Sequence, residues 1–281
     1  MSRFSIIVQQ LTPQHLLSRL VGIVASTRIR WIKNLFISTI IRIFDVDLSE
    51  AERSDYRDYE TFNDFFTRTL KPEARNFCGL VSSPADGVVS ACGDIKDNKL
   101  FQAKGKRYTL EKLLADAGAA KKFGQGSFAT IYLAPKDYHR VHCPVAGNLQ
   151  MGSYVPGKLF SVNKKTTEAV DDLFAINERY VMHFDTANGA MVVIMVGAMI
   201  VAGIRPAWQN EVFPARKFDK HQFLPPKIFA QGDELGSFLM GSTAIVLFEH
   251  QVDWKITAHQ PVRLGESLVN ANNQTEVKQT L

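Results

Sequence analysis

Residues 235–249 read LGSFLMGSTAIVLFE, so that Gly241 and Ser242 stand directly before an apolar run that ends at Phe248. A short run of β-branched and aromatic residues after a Gly-Ser pair is typical of a buried strand entered from a turn. Similar runs alternate with Gly, Pro, Asn and Asp at residues 87–89, 128–133 and 191–195. This pattern predicts a strand-rich domain.

Helical periodicity dominates the first fifty residues. Apolar residues recur at helical spacing from Leu16 to Val24 and from Ile29 to Ile43, with basic residues between them. Apolar stripes with a basic flank are typical of helices that lie in a membrane interface. A helical pair packed on the domain, with its charges in solvent, is the alternative. A further helix is predicted at residues 108–120, inside the strand-rich part.

Together these patterns predict an α+β fold. Amphipathic helices and a polar linker occupy residues 1–60, and a strand-rich domain occupies residues 61–281. An uncharged run from Thr186 to Ile204 is long enough to cross a bilayer. Because it contains three glycines and is rich in Val and Ile, we interpret it as two buried strands with a bend.

Composition limits the classes of function. The 281 residues are 46% hydrophobic and 22% charged, with a formal net charge of +5 and a pI near 9.0. A mild basic excess favours anionic partners such as a membrane with acidic lipids. No nucleic-acid-binding motif is present, so we predict no nucleic-acid partner. The cysteines, Cys78, Cys92 and Cys143, form no CxxC pair and no metal-ligand spacing.

Three segments carry residues suited to chemistry. The first is Gly241-Ser242, which alone is a turn entering a strand and does not match a G-x-S-x-G elbow. The second, PKDYHRVHCP at residues 135–144, contains His139 and His142, which could act as bases or simply pack. No third ligand stands at metal-binding spacing, so we predict no metal site. The third, SSPADGVV at residues 82–89, contains Asp86 in what alone is a hairpin turn.

Taken together, these segments resemble the bacterial phosphatidylserine decarboxylase proenzyme family. The resemblance extends through nearly the whole chain. It is carried, in order, by the segments TFNDFFTR (61–68), PADG (84–87), DYHRVH (137–142), LFSVN (159–163), NER (177–179), VGA (196–198) and GST (241–243). One departure is Met240, where the family usually has leucine; the two side chains are similar in volume and polarity.

The resemblance implies a pyruvoyl cofactor made from Ser242. The hydroxyl of Ser242 attacks the carbonyl of Gly241, and the chain is cleaved between these two residues. The ketone of the pyruvoyl group then forms a Schiff base with the amine of phosphatidylserine, and phosphatidylethanolamine is the product. Residues 61–281 would thus be the catalytic domain, with its two cleaved chains remaining associated.

The resemblance also implies roles for the other motif residues. Serine is a weak nucleophile and needs an adjacent base. His142 matches the base, and Asp86 matches the carboxylate that orients it, so we expect both to converge with Ser242. His139 matches a second histidine, which assists proton transfer in decarboxylation; a structural hydrogen bond is the alternative. Phe160, Ser161, Val162 and Asn163 are expected to line the head-group pocket.

A lipid substrate predicts attachment to an anionic membrane surface. We expect a peripheral protein on the cytoplasmic face of a bacterial inner membrane, with no helix crossing it. A homo-oligomer is compatible with the sequence. The side chains expected to meet the acidic lipids or to insert are Arg28, Arg30, Lys33 and Arg42, and Trp31, Phe36 and Ile40. Two other classes compete with this prediction: an uncleaved serine hydrolase using the same Ser, His and Asp, and a non-enzymatic membrane adaptor.

Overall fold

The structure is a computed structural model that describes residues 14–198, 203–209, 217–239 and 242–270. The α+β prediction is confirmed. The helices are α1 (Gln14–Ala25), α2 (Arg30–Phe44), α3 (Phe62–Phe66), α4 (Leu110–Leu114), α5 (Ala117–Phe123), α6 (Lys164–Ala169) and α7 (Leu173–Ile176). The strands are β1 (Gly87–Asp94), β2 (Lys99–Ala103), β3 (Lys106–Thr109), β4 (Ser127–Leu133), β5 (Arg140–His142), β6 (Gly147–Val155), β7 (Arg179–Thr186), β8 (Gly189–Gly197), β9 (Ile204–Pro206), β10 (Asp219–Phe229), β11 (Glu234–Phe238), β12 (Ser242–Phe248) and β13 (Pro261–Val262).

An eight-stranded antiparallel sheet forms the body of the protein, in the order β10-β6-β7-β8-β12-β4-β1-β13. The apolar run that ends at Phe248, predicted as a buried strand, becomes β12, which is paired with β8 on one side and with β4 on the other. Every residue of β12 is buried. A continuous apolar run is the expected sequence of a strand covered on both faces.

Different layers cover the two faces of this sheet. Ala244 and Val246 point into a cluster with the small sheet β5-β11-β9, while Ile245 and Leu247 point into a cluster with helices α4, α5 and α7. Successive side chains of a strand point to opposite faces, so this division follows from the sequence of β12 alone.

The N-terminal helices pack on a separate aromatic cluster. Ile37 of α2 meets Tyr59 and the buried phenylalanines of α3. Phe36 stacks on Phe62 with ring centroids 4.3 Å apart. Residues on both sides of position 60 therefore share one core.

The outward-facing side of α2 differs in part from the prediction. Trp31, Leu35 and Ile43 are exposed. Phe36 and Ile40, which were expected to insert into lipid, instead pack against the aromatic cluster. Lys33, which was expected to meet acidic lipids, is buried, and its Nζ donates to the carbonyls of Arg57 and Tyr59 at 2.9 and 2.5 Å. These three predictions were wrong because a sequence stripe gives the period of a helix but not which side meets the core.

Among the described residues, no helix is long and apolar enough to cross a membrane. The uncharged run that begins at Thr186 forms β8, in the middle of the large sheet. Residues 199–202 of this run, and with them the predicted bend, lie outside the described part, and β9 begins at Ile204.

The buried ammonium of Lys33 should contribute to stability. Replacing Lys33 by methionine keeps the apolar stem but leaves two backbone carbonyls without their donor. We expect a loss of about 1–3 kcal/mol in the free energy of unfolding, measured by urea denaturation. The control is Arg30→Met on the exposed side of the same helix, which should change stability by less than about 0.5 kcal/mol. Equal effects of the two substitutions would contradict the assignment.

Candidate active site

Ser242 is the first residue of β12, and its position is fixed from both sides. It pairs with Leu133 of β4 and with Gly197 of β8. Its side chain is 0% exposed, and its Oγ has no hydrogen-bond partner among the described residues. A buried hydroxyl without a partner is costly and unusual, which marks it as a candidate for chemistry. Met240 and Gly241, the predicted attacked residue, lie outside the described residues.

His139 lies beside the segment that leads to Ser242. The turn Ala134–Asp137 follows β4, and the backbone N–H of Phe238 donates to the carbonyl of His139 at 2.9 Å. The ring is fully buried against Phe66, with centroids 4.0 Å apart. Nδ1 donates to the carbonyl of Asp137 at 2.7 Å, so Nε2 carries the lone pair, and it has no partner among the described residues. Burial lowers the pKa of His139 to about 3, which keeps the ring neutral.

His142 ends β5 and is held by two hydrogen bonds. Nδ1 donates to the carbonyl of Gly232 at 2.8 Å, which leaves Nε2 to accept from the hydroxyl of Tyr138 at 3.1 Å. Burial lowers its pKa, although the ring is only half-buried. His142 is therefore a second neutral histidine whose Nε2 is the basic atom.

Asp86 directly precedes β1, and its carboxylate binds residues other than His142 and Ser242. Arg75 holds the carboxylate in a two-bond contact at 2.5 and 3.1 Å, and the N–H of Leu264 donates to it at 2.7 Å. The backbone brings its segment near His142, since His142 N–H donates to the carbonyl of Pro84 at 2.8 Å. Asp86 also acts to raise the pKa of His142, but less strongly than burial lowers it.

No hydrogen bond between described residues joins Asp86, His142 and Ser242. The expected convergence of these three side chains therefore stays a prediction. What the fold does bring together is the two segments that carry Asp86 and His142, and the backbones of His139 and Phe238.

Asn177 anchors the Phe160–Asn163 loop near Ser242. The backbone N–H of Phe160 donates to Oδ1 of Asn177 at 3.1 Å. The side-chain nitrogen Nδ2 of Asn177 donates to the carbonyls of Phe160 and Gly197 at 2.8 and 2.9 Å. Gly197 is the residue that pairs with Ser242. The loop is thus tied to the strand position beside the candidate nucleophile.

The four predicted head-group residues have different surroundings. Phe160 and Val162 are buried in the cluster under the helices, and Ser161 is half-buried. Asn163 caps α6 by accepting from Thr166 N–H at 3.1 Å, and its amide donates to Ser161 Oγ at 2.8 Å.

Comparison with known proteins identifies the family. A family model described as phosphatidylserine decarboxylase matches residues 62–270. The chain belongs to the phosphatidylserine decarboxylase family. A second model, described as PSD, matches residues 4–45.

Curated relatives of this enzyme family cover almost the entire chain. The phosphatidylserine decarboxylase proenzyme of Saccharophagus degradans is 47% identical, over 96% of this chain and 98% of the relative. The proenzyme of Ectopseudomonas mendocina is 49% identical over the same shares, and that of Pseudomonas entomophila is 50% identical over 95% and 97%. The resemblance found in the sequence motifs is confirmed.

No role was predicted from the sequence for Asn177 or Glu178. Glu178 is buried, accepts a hydrogen bond from the Tyr154 hydroxyl at 2.9 Å, and has its pKa raised by burial to about 7. Both residues belong to the NER segment (177–179), but the sequence of three residues does not show whether their side chains are buried.

The anchoring function of Asn177 can be tested by Asn177→Ala. The substitution leaves two buried carbonyls and one N–H unpaired, so we expect a loss of at least about 2 kcal/mol in the free energy of unfolding. Asn148→Ala, at an exposed position of β6, is the control and should change little. An Asn177→Ala protein as stable as the control would show that the three bonds do not hold the loop.

Proposed function

We propose that this protein decarboxylates phosphatidylserine to phosphatidylethanolamine with a pyruvoyl group formed from Ser242 by self-cleavage. The observation that carries the proposal is the fully buried hydroxyl of Ser242 at the start of the central strand, which has no hydrogen-bond partner among the described residues. Membership of a family whose relatives are named proenzymes supports a processing step.

The maturation chemistry uses the chain itself. Ser242 Oγ bonds to the carbonyl carbon of Gly241, and the peptide C–N bond breaks to give an ester. Elimination of the ester leaves residue 241 with a carboxylate and residue 242 as dehydroalanine. Rearrangement and hydrolysis then release ammonia and leave a pyruvoyl group at the start of residues 242–281.

In this proposal His142 is the base for Ser242. Its Nε2 carries the lone pair because Nδ1 donates to Gly232. The Tyr138 hydroxyl, which donates to Nε2, offers a path by which a proton can reach the ring. Asp86 acts through the electrostatic field: its negative charge favours the imidazolium that forms. Its own position is fixed by Arg75.

The surroundings of residue 242 fit a pyruvoyl group. The group would stand at the start of β12, held by the pairing of β12 with β4 and β8. Bound there, it supplies an electron sink for the loss of carbon dioxide. His139 would accept a proton at Nε2 and pass it on, because this nitrogen is buried, carries the lone pair and has no partner among the described residues. Ser161 and its loop would orient the head group.

The same pairing supports lasting association of the two cleaved chains. Residues 242–248 form the interior strand β12, whose hydrogen bonds run to strands of the larger chain on both sides. Cleavage before Ser242 and loss of its nitrogen leave the pairing of residues 243–248 intact.

Family membership favours a phosphatidylserine decarboxylase over an uncleaved serine hydrolase and over a membrane adaptor. The curated relatives are named phosphatidylserine decarboxylase proenzymes.

We further propose peripheral attachment to the cytoplasmic face of a bacterial inner membrane through α1 and α2. Large apolar side chains along these helices are exposed, namely Leu20, Ile23, Val24, Ile29, Trp31, Leu35 and Ile43. Arg30 and Arg42 are exposed beside them. Extracting a two-chain lipid into water costs roughly 0.8 kcal/mol per CH₂, so a lipid enzyme is expected to work at the surface.

The central test of maturation is Ser242→Ala, which removes the nucleophile and the cofactor precursor together. We expect a single full-length band on a denaturing gel and no decarboxylation of phosphatidylserine vesicles. Thr243→Ala, at the next buried hydroxyl, is the control and should still give two bands. A Ser242→Ala protein that releases carbon dioxide from phosphatidylserine would refute the pyruvoyl proposal.

Substitutions of the two histidines should affect different steps, His142 the cleavage and His139 the decarboxylation. His142→Ala is expected to arrest cleavage, because the base for Ser242 is lost. His139→Ala should still cleave but should lose decarboxylation by roughly 10²-fold or more. Gels report the first step and carbon dioxide release reports the second. The reverse pattern would exchange the two roles.

Membrane attachment can be tested without deleting the packed helices. The triple variant Trp31→Ser, Leu35→Ser, Ile43→Ser should float poorly with vesicles containing anionic lipid. The control variant, Leu224→Ser with Ile228→Ser, changes side chains that are equally exposed, at 79% and 83%, on the edge strand β10. If both variants float like the unmodified protein, the helices are not the anchor.

A further inference from the structure

One buried carboxyl near Ser242 has no role in the proposed function. Glu178 directly precedes β7, and the N–H of Gly197 donates to its backbone carbonyl at 2.9 Å. Gly197 is in turn the pairing partner of Ser242. Glu178, Gly197 and Ser242 therefore lie in one row across three neighbouring strands.

The side chains of this row share a face. Tyr180, Met195 and Ala244, each two residues from a member of the row, all belong to the cluster against the small sheet. Because side chains alternate along a strand, those of Glu178 and Ser242 point to that same face. Gly197 stands between them and contributes no side chain.

Glu178 leans over this glycine. A Cβ placed on Gly197 would lie 3.3 Å from Oε1 and 3.4 Å from Cγ of Glu178. Directly opposite Cβ atoms on one face are about 4.5–5.5 Å apart, so the same space borders the Ser242 side chain. The missing side chain of Gly197 thus leaves the carboxyl facing residue 242.

We infer that Glu178 is the general acid of self-cleavage, giving its proton to the nitrogen of residue 242 as the peptide bond breaks. This inference rests on the proposed function. The bond from Ser242 Oγ to the carbonyl carbon forms, the C–N bond breaks, and the hydroxyl proton goes to the histidine base. The histidine proton then returns to Glu178 through solvent, so neither group is consumed.

The protonation states of Glu178 and of the two histidines suit this division between an acid and a base. Burial disfavours charge, so it keeps His139 and His142 as neutral bases and raises the pKa of Glu178 to about 7. Opposite shifts of this kind separate an acid from a base at the same pH. Other groups that face the carboxyl are few among the described residues. β6 contributes the Tyr154 phenol, β8 and β12 contribute Gly197 and Ser242, and Lys158 points its amine over the Phe160 ring.

The test follows cleavage of labelled full-length chain, made by cell-free translation, from pH 5.5 to 9. The acid form is the active one, so the rate of the unmodified chain should fall as pH rises through about 7. This fall in rate is the descending limb of the pH–rate profile. Glu178→Gln should lower the rate below pH 7 by roughly 10²-fold or more and abolish the descending limb. Gly197→Ala, whose methyl group displaces the carboxyl, should slow cleavage while Glu178 remains.

Tyr154→Phe gives a second, independent measurement. It keeps the carboxyl and removes a donor that favours the carboxylate, so the pKa of Glu178 should rise. The descending limb should then move to higher pH. The matched control is Glu249→Gln at the other end of β8, where a carboxyl also lies over a glycine, Gly189, and accepts from Ala190 N–H. It should leave the profile unchanged.

The outcomes separate the two claims. If the unmodified chain does not cleave before Ser242, the proposed function itself fails. If it cleaves, but Glu178→Gln keeps the descending limb, the carboxyl is structural and the inference is overturned. An unshifted limb in Tyr154→Phe overturns it as well, even if Glu178→Gln fails to fold.

Discussion

The pairing of β12 between β4 and β8 is the constraint on which the rest of the molecule depends. It fixes residue 242 against Leu133 and Gly197. It also buries the serine hydroxyl, and it would hold residues 242–248 in place after the backbone before them is cut. A strand at the sheet edge could not fix residue 242 from both sides, bury its hydroxyl and hold the cut segment in this way, because half of its backbone groups would be open to water.

Burial then selects the chemistry available around that strand. Removing a titratable group from water disfavours its charged form, whichever sign the charge has. The same environment therefore gives neutral histidines at 139 and 142 and a carboxyl at 178 that holds its proton near neutrality. The carboxylate of Asp86 is held differently, by Arg75 and by the backbone N–H of Leu264.

The sequence alone predicted the strand-rich body, because the apolar runs have the length and residue types of buried strands. It also led to the proposal of Ser242, His142, His139 and Asp86 as site residues, because they fall within ordered motifs. It could not predict the inward turn of Lys33 and Phe36, which depends on contacts with residues more than twenty positions away. The helix expected at 108–120 is divided into α4 and α5, since Ala115 adopts a left-handed φ of 52° and Asp116 caps α5. The partners of Asp86 and the burial of Glu178 likewise arise only from tertiary packing.

The central claim is that Ser242 is converted in place, within an intact sheet, into the reactive group of the enzyme. Intact-mass spectrometry of the purified protein tests this most directly, because it reports chain cleavage and serine conversion together. The account predicts two chains: residues 1–241 with a free carboxylate, and residues 242–281 lighter by one ammonia than the same segment with an N-terminal serine. A single uncleaved mass in a protein that decarboxylates phosphatidylserine, or a small chain that retains its serine, would contradict it.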